Sequence, residues 1–169
     1  MMACLDVHYG DNAACAAAVI FADWSDSEPL RWYSTLVAAM AAYEPGRFYL
    51  RELGPLTAVV KLIQEPIGVF VIDAYCYLSA DKTPGLGAYL CDSINGPVAV
   101  IGVAKNRFRD ARHAEEVLRG NSRRPLFVTA IRLPQQIAAT RIASMSGRFR
   151  LPTLIKAVDQ LARRGTGRS

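Results

Sequence analysis

The sequence predicts a mixed α/β fold, in which an antiparallel meander of strands is followed by parallel strands with flanking helices. Three observations support this prediction. Three β-like segments joined by short turn-forming segments occupy the amino-terminal part of the chain, as in a meander. Two continuous apolar segments of buried-strand type then flank a short helical pattern, which favours parallel pairing. Two further helical patterns follow at the carboxyl-terminal end.

The meander is predicted from turn residues and β-favouring side chains. Its strands are expected at residues 3–9, 14–22 and 30–40. Gly10, Asp11 and Asn12 tolerate positive φ and therefore favour a tight turn between the first two strands. Aromatic and β-branched residues such as Trp32 and Val37 favour the third strand.

Pro55 limits where the first helix can begin. Because proline is tolerated only in the first turn of a helix, this helix is predicted to begin near Gly54 and to run to Ile63. Glu52 would then stand at the entrance of the helix, where its position is better fixed than on a free loop.

The rest of the chain is predicted to alternate strands and helices. Strands are expected at residues 67–75, 97–104 and 125–133. Helices are expected at residues 88–93, 112–118, 135–145 and 152–163, with residues 165–169 as a frayed end. No repeat or linker interrupts the pattern, so residues 1–169 are expected to form a single domain.

Composition favours a globular protein. Of the 169 residues, 51% are apolar and 21% are charged, which is enough to build one sizeable core. No apolar stretch reaches the length needed to span a membrane, and the first residues lack a basic region typical of signal peptides. We therefore expect a soluble, cytoplasmic protein without membrane contact, and a monomer.

The cysteines predict buried free thiols. The four of them have no CxxC spacing, and free cysteine is among the most buried residue types. The alternative is that Cys4 and Cys15 face each other across the first hairpin. With His8 and His113 as the only histidines, a zinc site is poorly supported.

Charge is distributed unevenly along the chain. Residues 1–101 carry 5 basic and 11 acidic side chains (−6), and residues 102–169 carry 15 basic and 4 acidic side chains (+11), which sum to +5. A basic second half beside an acidic first half suits a protein that holds a polyanion on one surface and a metal ion on another. A merely solvated basic surface is the alternative.

Three acidic residues lie in settings where a lone carboxylate is costly. Asp6 lies inside an apolar strand, Glu52 lies beside the first helix, and Asp73 ends the strand Val69–Ile72. Buried carboxylates need a partner, and a hard divalent cation with oxygen ligands is the partner that suits acids from separate elements. Metal-assisted phosphodiester chemistry is therefore the leading hypothesis.

Several short motifs, taken together and in order, resemble the endonuclease V family over almost the whole chain. They are Leu5-Asp6-Val7, Tyr43-Glu44-Pro45-Gly46, Arg51-Glu52, Val71-Ile72-Asp73, Ile101-Gly102-Val103-Ala104-Lys105 and Arg148-Phe149-Arg150-Leu151-Pro152. The resemblance implies a ribonuclease H-like fold and a nuclease that uses Mg²⁺ or Mn²⁺ to nick DNA or RNA near deaminated purines, chiefly inosine. It also implies products with a 3′-hydroxyl and a 5′-phosphate.

The resemblance implies roles for individual residues. Asp6, Glu52 and Asp73 fall on the family's metal-binding carboxylates, and Lys105 falls on a lysine near the scissile phosphate. Tyr43 falls on the aromatic residue of a wedge that holds the duplex open. The neighbouring nucleic-acid contacts are expected at Pro45, Gly46, Arg51 and Arg107, although the sequence does not separate phosphate-binding arginines from solvated ones.

The chain also departs from the family pattern. Asp73-Ala74-Tyr75-Cys76 replaces Asp-Gly-His-Gly, so we expect the side chains of Ala74 and Cys76 to narrow the base pocket. Ile131 replaces a histidine that lies by the metals in the family. His8, on the same strand face as Asp6, is a candidate replacement. A relative that binds nucleic acid without catalysis is therefore the alternative function.

Overall fold

The computed structural model describes residues 1–10, 13–38, 48–109 and 111–166. Within these residues it contains seven strands and four helices. The strands are β1 (Met2–Tyr9), β2 (Ala13–Phe21), β3 (Arg31–Ala38), β4 (Val69–Ile72), β5 (Ala99–Ala104), β6 (Glu115–Val117) and β7 (Leu126–Ile131). The helices are α1 (Phe48–Val60), α2 (Leu86–Ser93), α3 (Gln135–Ser144) and α4 (Thr153–Gly165). The predicted mixed α/β fold is confirmed.

The strands form a mixed sheet in the order β3-β2-β1-β4-β5-β7-β6. Strands β1, β2 and β3 are antiparallel neighbours, which confirms the predicted meander. Strand β4 is parallel to both β1 and β5, whereas β7 runs antiparallel to β5. As a result, the carboxyl ends of β1, β4 and β5 lie at the same edge of the sheet.

Helices cover both faces of the sheet. Ile142 of α3 and Leu154 and Val158 of α4 are buried against one face, and Leu56 of α1 and Leu90 of α2 are buried against the other. This arrangement follows from the apolar alternation of the central strands, because successive side chains point to opposite faces. Burying each large aliphatic side chain contributes about 1.5–3 kcal/mol.

The helix predicted near residues 112–118 is wrong. Glu115–Val117 form the short edge strand β6, which pairs antiparallel with Leu126–Val128 of β7. The local pattern is weak, since only Val117 of the three is buried. Pairing with a neighbour distant in sequence decides the conformation here, and local periodicity does not reveal such pairing.

The predicted start of α1 is also wrong. The helix spans Phe48–Val60, so Pro55 lies in its interior and Glu52 lies inside the helix rather than at its entrance. A proline at this position cannot donate a backbone hydrogen bond to the carbonyl of Arg51, four residues earlier. That carbonyl instead accepts a 2.9 Å hydrogen bond from the hydroxyl of Tyr9.

The cysteine prediction is confirmed, because all four cysteines are free and buried. Cys4 is paired with Val19 and Cys15 with His8 across the first hairpin, so the two thiols do not face each other.

The turn residues Asp11 and Asn12 lie outside the described residues, as do residues 167–169. Among the described helices, none has both the length and the apolar character needed to cross a membrane.

Candidate active site

Asp6 and Asp73 stand side by side at the carboxyl edge of the parallel strands. Leu5 of β1 is the register partner of Ile72 of β4, and an aspartate follows each of them. Crevices at this edge of an α/β sheet are where such proteins bind ligands. The parallel register therefore brings together two acids that are 67 positions apart in sequence.

Glu52 interacts electrostatically with these two aspartates. Burial raises the pKa of Asp6 to about 7, with repulsion by Asp73 as the next cause. Burial also raises the pKa of Glu52 to about 8, followed by repulsion from Asp6 and from Asp73. The structure thus brings the predicted carboxylates close enough that Asp73 opposes the ionisation of Asp6 and both aspartates oppose that of Glu52, as expected when like charges share a site.

Lys105 supplies a positive charge at the same edge. It directly follows β5, and its ammonium donates a hydrogen bond to Oδ2 of Asp73. Burial disfavours the charge on Lys105, but the hydrogen bond and the attraction to Asp73 raise its pKa overall. One of the three carboxylates is therefore already paired, and the negative charge of Asp6 and Glu52 is not offset to the same degree.

Asp159 of α4 is a further acid at this site, and the sequence analysis missed it. Its carboxylate interacts with the carboxyl of Asp6 and accepts hydrogen bonds of 2.9 and 3.0 Å from Arg163, which lower its pKa. A signal was present in the sequence. Asp159 lies four residues after Ile155 and next to Val158, at the border of the buried helix face.

A small cavity of about 30 Å³ lies among these acids. Asp6, Asp73, Lys105 and Asp159 line it together with apolar residues of β1, β4 and α4. Its volume suffices for a species the size of a water molecule. Glu52 is not part of the cavity wall.

The donor set has the chemistry of a hard-cation site. Carboxylate oxygens are the ligands that Mg²⁺ and Mn²⁺ prefer, and a cation would offset the repulsion that raises the pKa values of Asp6 and Glu52. However, within the described part of the chain no three His, Cys, Asp or Glu side chains stand in positions that could hold a metal ion. The ammonium of Lys105 occupies Oδ2 of Asp73, and it therefore competes with a cation for that carboxylate.

A second, larger cavity of about 510 Å³ opens beside Asp73. Its walls are mainly aromatic and aliphatic, and they come from α1, α2 and the segments that follow β4 and β5. The lining residues are Tyr49, Asp73, Ala74, Tyr75, Leu78, Thr83, Pro84, Gly85, Leu86, Tyr89 and Phe108. The rings of Tyr49 and Tyr89 are stacked, with centroids 3.8 Å apart and planes 10° apart.

The sequence over residues 1–148 matches the family model for Endonuclease V. This match covers most of the chain. The chain belongs to the endonuclease V family. Membership supports its assignment as a nucleic-acid endonuclease, which is a phosphodiesterase. None of the curated proteins matches the sequence.

Solved endonuclease V structures share the fold of this chain. The catalytic domain of human Endonuclease V superposes with a TM-score of 0.79 at 21% identity, over 97% of this chain and 81% of that chain. Endonuclease V from Streptomyces avermitilis gives a TM-score of 0.75 at 21% identity, over 98% of this chain and 81% of that chain. Endonuclease V from Ciona intestinalis gives a TM-score of 0.80 at 17% identity, over 98% of this chain and 85% of that chain. That structure was solved with a 24mer DNA containing an inosine followed by a ribo-adenosine. These likenesses confirm the ribonuclease H-like fold.

The Cys76 side chain does not line the 510 Å³ cavity beside Asp73, so it does not narrow that cavity. The Cys76 side chain is fully buried in the core, and its Sγ lies where a Cβ on Gly87 would come within 2.6 Å. Ala74 does line the 510 Å³ cavity, but the cavity remains open.

The structure also corrects the expectation that Ile131 occupies the place of a histidine beside the metal site. Ile131 is paired with Val100, at the beginning of β5, whereas Lys105 follows the end of that strand. The two positions lie at opposite ends of β5, about 16 Å apart at 3.3 Å per residue. Ile131 packs against the core, so its presence removes no ligand from the carboxylate edge.

The other predicted contacts are engaged within the protein or lie outside the described residues. The guanidinium of Arg51 lies 3.8 Å from the centre of the Tyr9 ring. Arg107 forms an ion pair with Glu116 and lies 5.0 Å from the centre of the Phe127 ring. Tyr43, Pro45 and Gly46, the wedge of the family resemblance, fall outside the described residues.

His8 remains a candidate member of the site. It lies two residues beyond Asp6 on β1, and its side chain therefore points to the same face of the sheet. Its Nε2 is buried and has no hydrogen-bond partner in the part of the chain that the structure describes. A buried ring nitrogen of this kind is available to an incoming ligand or proton.

Proposed function

We propose that the chain is a divalent-metal-dependent endonuclease that hydrolyses phosphodiester bonds of DNA or RNA at or near deaminated purines such as inosine. The products would carry a 3′-hydroxyl and a 5′-phosphate. The main support is the repulsion that Asp73 exerts on Asp6 and that both aspartates exert on Glu52, because three partly buried acids at one sheet edge are costly unless a cation joins them.

Asp6, Glu52 and Asp73 would hold the cation, Mg²⁺ or Mn²⁺, with Asp159 as a neighbouring oxygen donor. When bound, such a cation lowers the pKa of a water ligand and neutralises charge on phosphate oxygens. Lys105 would leave Asp73 and contact a phosphate oxygen, since a compact ammonium suits that role.

The 510 Å³ cavity would receive the extruded base. It borders Asp73, so a base held there would lie close to the carboxylates. Aromatic and aliphatic walls suit a flipped base, because enzymes that extrude a base hold it by stacking in a closely fitting pocket. The hydroxyl of Tyr75 is already used, since it donates to the carbonyl of Asn106 and accepts from the amide of Phe108. Recognition of inosine would therefore depend on other polar groups of the wall.

A binding protein without catalysis is the second candidate. It is favoured by the pairing of Lys105 with Asp73 and by the lack, in the described ranges, of three side chains already arranged around one metal ion. The basic second half of the chain would then hold nucleic acid by phosphate contacts alone. Such binding depends steeply on salt and little on base identity.

Cleavage of labelled oligonucleotides tests the proposed function. Inosine-containing DNA and RNA and their unmodified counterparts are incubated with Mg²⁺, Mn²⁺ or EDTA. Wild type is compared with Asp73→Asn and with Asp92→Asn, a control that removes an exposed carboxylate of α2. We expect metal-dependent nicking by wild type and Asp92→Asn, and loss of nicking in Asp73→Asn.

The outcomes separate the two candidates. Equal nicking by wild type and Asp73→Asn would contradict the proposed site. Salt-sensitive binding without nicking under any metal condition would favour the binding protein. Metal-dependent nicking with no preference for inosine would support the nuclease and remove the proposed base specificity.

A further inference from the structure

A basic groove adjoins the small cavity among the acids. It encloses about 840 Å³, and among the described residues its wall includes Arg148, Arg150 and Lys156 and no acidic residue. Leu151 and Lys156 belong to both walls, so the groove lies directly beside the cavity that Asp6 and Asp73 line. A path of positive charge leading to a group of carboxylates suits a polyanionic strand.

An exposed aromatic ring lies in this groove. The Phe149 side chain is 59% exposed, which leaves a large apolar surface in water. The guanidinium of Arg148 lies 4.9 Å from the centre of its ring, and the ammonium of Lys156 lies 5.9 Å away. An aromatic face flanked by cations is the combination with which proteins bind single-stranded nucleic acid.

The segment that carries Phe149 is held firmly by the rest of the protein. The buried guanidinium of Arg119 donates hydrogen bonds to several carbonyls of this segment, including those of Gly147 and Phe149 at 3.2 Å each. Arg150 donates to the carbonyl of Pro125 at 2.9 Å. Gly120 approaches so closely that a Cβ there would come within 2.3 Å of the carbonyl oxygen of Arg148. The exposure of Phe149 is therefore a fixed feature of the surface.

We propose that Phe149, flanked by Arg148 and Lys156, is a stacking platform for an unpaired nucleotide of the strand that enters the carboxylate site. Within an intact duplex, both faces of each internal base are covered by neighbouring bases, so a base that lies on Phe149 has left that stack. The two cations would contact the phosphates on either side. The substrate at this position is consequently single-stranded, or a duplex that is opened there.

This inference rests on the proposed function only for the statement that the bound strand leads to the carboxylate site. The binding of a nucleotide to Phe149 does not depend on that function. Binding can be measured in EDTA, where the proposed metal-dependent cleavage cannot occur. Loss of the proposed activity and loss of the platform are therefore separate results. A protein that fails to nick inosine substrates but binds single strands through Phe149 would contradict the proposed function and support the platform.

Fluorescence anisotropy with the full chain tests the platform. The probes are a fluorescein-labelled single strand and the same strand in a duplex, both in EDTA. The variants are Phe149→Ala, Phe149→Tyr, which keeps an aromatic face, and Trp32→Ala, which removes a 64% exposed aromatic side chain from β3. Thermal unfolding of each variant verifies that it folds.

We expect Phe149→Ala to weaken single-strand binding about 5- to 100-fold, the range of base–aromatic stacking. Phe149→Tyr and Trp32→Ala should stay within about twofold of wild type, since stacking is retained in both. Duplex binding should change little in all three. Equal weakening of single-strand and duplex binding by Phe149→Ala, equal effects of Phe149→Ala and Trp32→Ala, or no single-strand binding by wild type would overturn the proposal.

Discussion

The hydroxyl of Tyr9 donates a 2.9 Å hydrogen bond to the carbonyl oxygen of Arg51. In an uninterrupted helix, this carbonyl would accept from the backbone N–H of residue 55, which proline lacks. Strand β1 thus supplies the hydrogen bond that α1 loses, and the guanidinium of Arg51 lies over the ring of Tyr9. Since Glu52 follows Arg51, the same contact fixes α1 close to the edge where Asp6 lies.

We expect Tyr9→Phe to lower the free energy of unfolding by about 1–3 kcal/mol, because it leaves a carbonyl inside a helix without a donor. The ring and its contact with Arg51 remain, so packing is largely preserved. Urea denaturation of wild type and Tyr9→Phe measures the loss. Tyr33→Phe, which removes a hydroxyl that donates a 2.9 Å hydrogen bond to Glu65, is the control and should cost less, because Glu65 keeps its ion pair with Arg31.

A double-mutant cycle tests the reason for that loss. Pro55→Ala restores a backbone N–H at residue 55, which can donate to the carbonyl of Arg51. In the Pro55→Ala background, Tyr9→Phe should therefore cost about 1 kcal/mol less than in wild type. An unchanged cost would show that the Tyr9 hydroxyl does not compensate for the proline.

Without metal, the protein should lose stability as the pH rises from about 4 to about 8. The pKa values of Asp6 and Glu52 in the folded protein, about 7 and about 8, are above their ordinary values of 3.8 and 4.5. The folded state therefore binds more protons than the unfolded state in this range, and stability falls as those protons are lost. Thermal unfolding in EDTA at a series of pH values measures the effect.

Two comparisons verify the origin of this pH dependence. Glu52→Gln should flatten the decrease, because it removes one of the repelling carboxylates. Mg²⁺ should raise the unfolding temperature of wild type most strongly near pH 8, where the acids are ionised and can bind it. A Mg²⁺ effect that is equal at pH 5 and pH 8 would contradict cation binding by these acids.

Lys105→Met should have two opposite effects. Cleavage should slow by about 10²–10³-fold, the usual cost of removing one charged contact to a reacting phosphate. The Mg²⁺ concentration for half-maximal activity should fall, because the ammonium no longer pairs with Asp73. Single-turnover cleavage over a Mg²⁺ titration measures both quantities, with the exposed Lys61→Met as control. A higher Mg²⁺ requirement in Lys105→Met would contradict competition for Asp73.

Ala74→Phe should fill part of the 510 Å³ cavity beside Asp73. If an extruded base enters this cavity, the variant should lose about tenfold or more in kcat/KM for inosine substrates, since even one misplaced group costs on that order. Ala74→Ser, which keeps the volume small, serves as the matched control. Inosine cleavage that is unaffected by the phenylalanine would show that the base binds elsewhere.

The pattern of residues was enough to predict the order of the central elements and to single out three acids. The apolar strands around Leu5, Ile72 and Ile101 are long and regular enough to predict from local pattern. Asp6 and Asp73 stood out because a carboxylate within or directly after an apolar strand is unusual, and Glu52 stood out beside the first helical pattern. These signals lie within a few consecutive residues, so no knowledge of the three-dimensional structure was needed.

Tertiary structure alone decided the features that depend on contacts between distant residues. Pro55 lies inside α1 because Tyr9 replaces its missing hydrogen bond, and residues 115–117 form a strand because β7 pairs with them. Cys76 lies in the core because Gly87 makes room for it. Asp159 lies beside Asp6 because α4 packs against β1. In each case, the deciding energy comes from a partner far away in sequence, which local periodicity does not report.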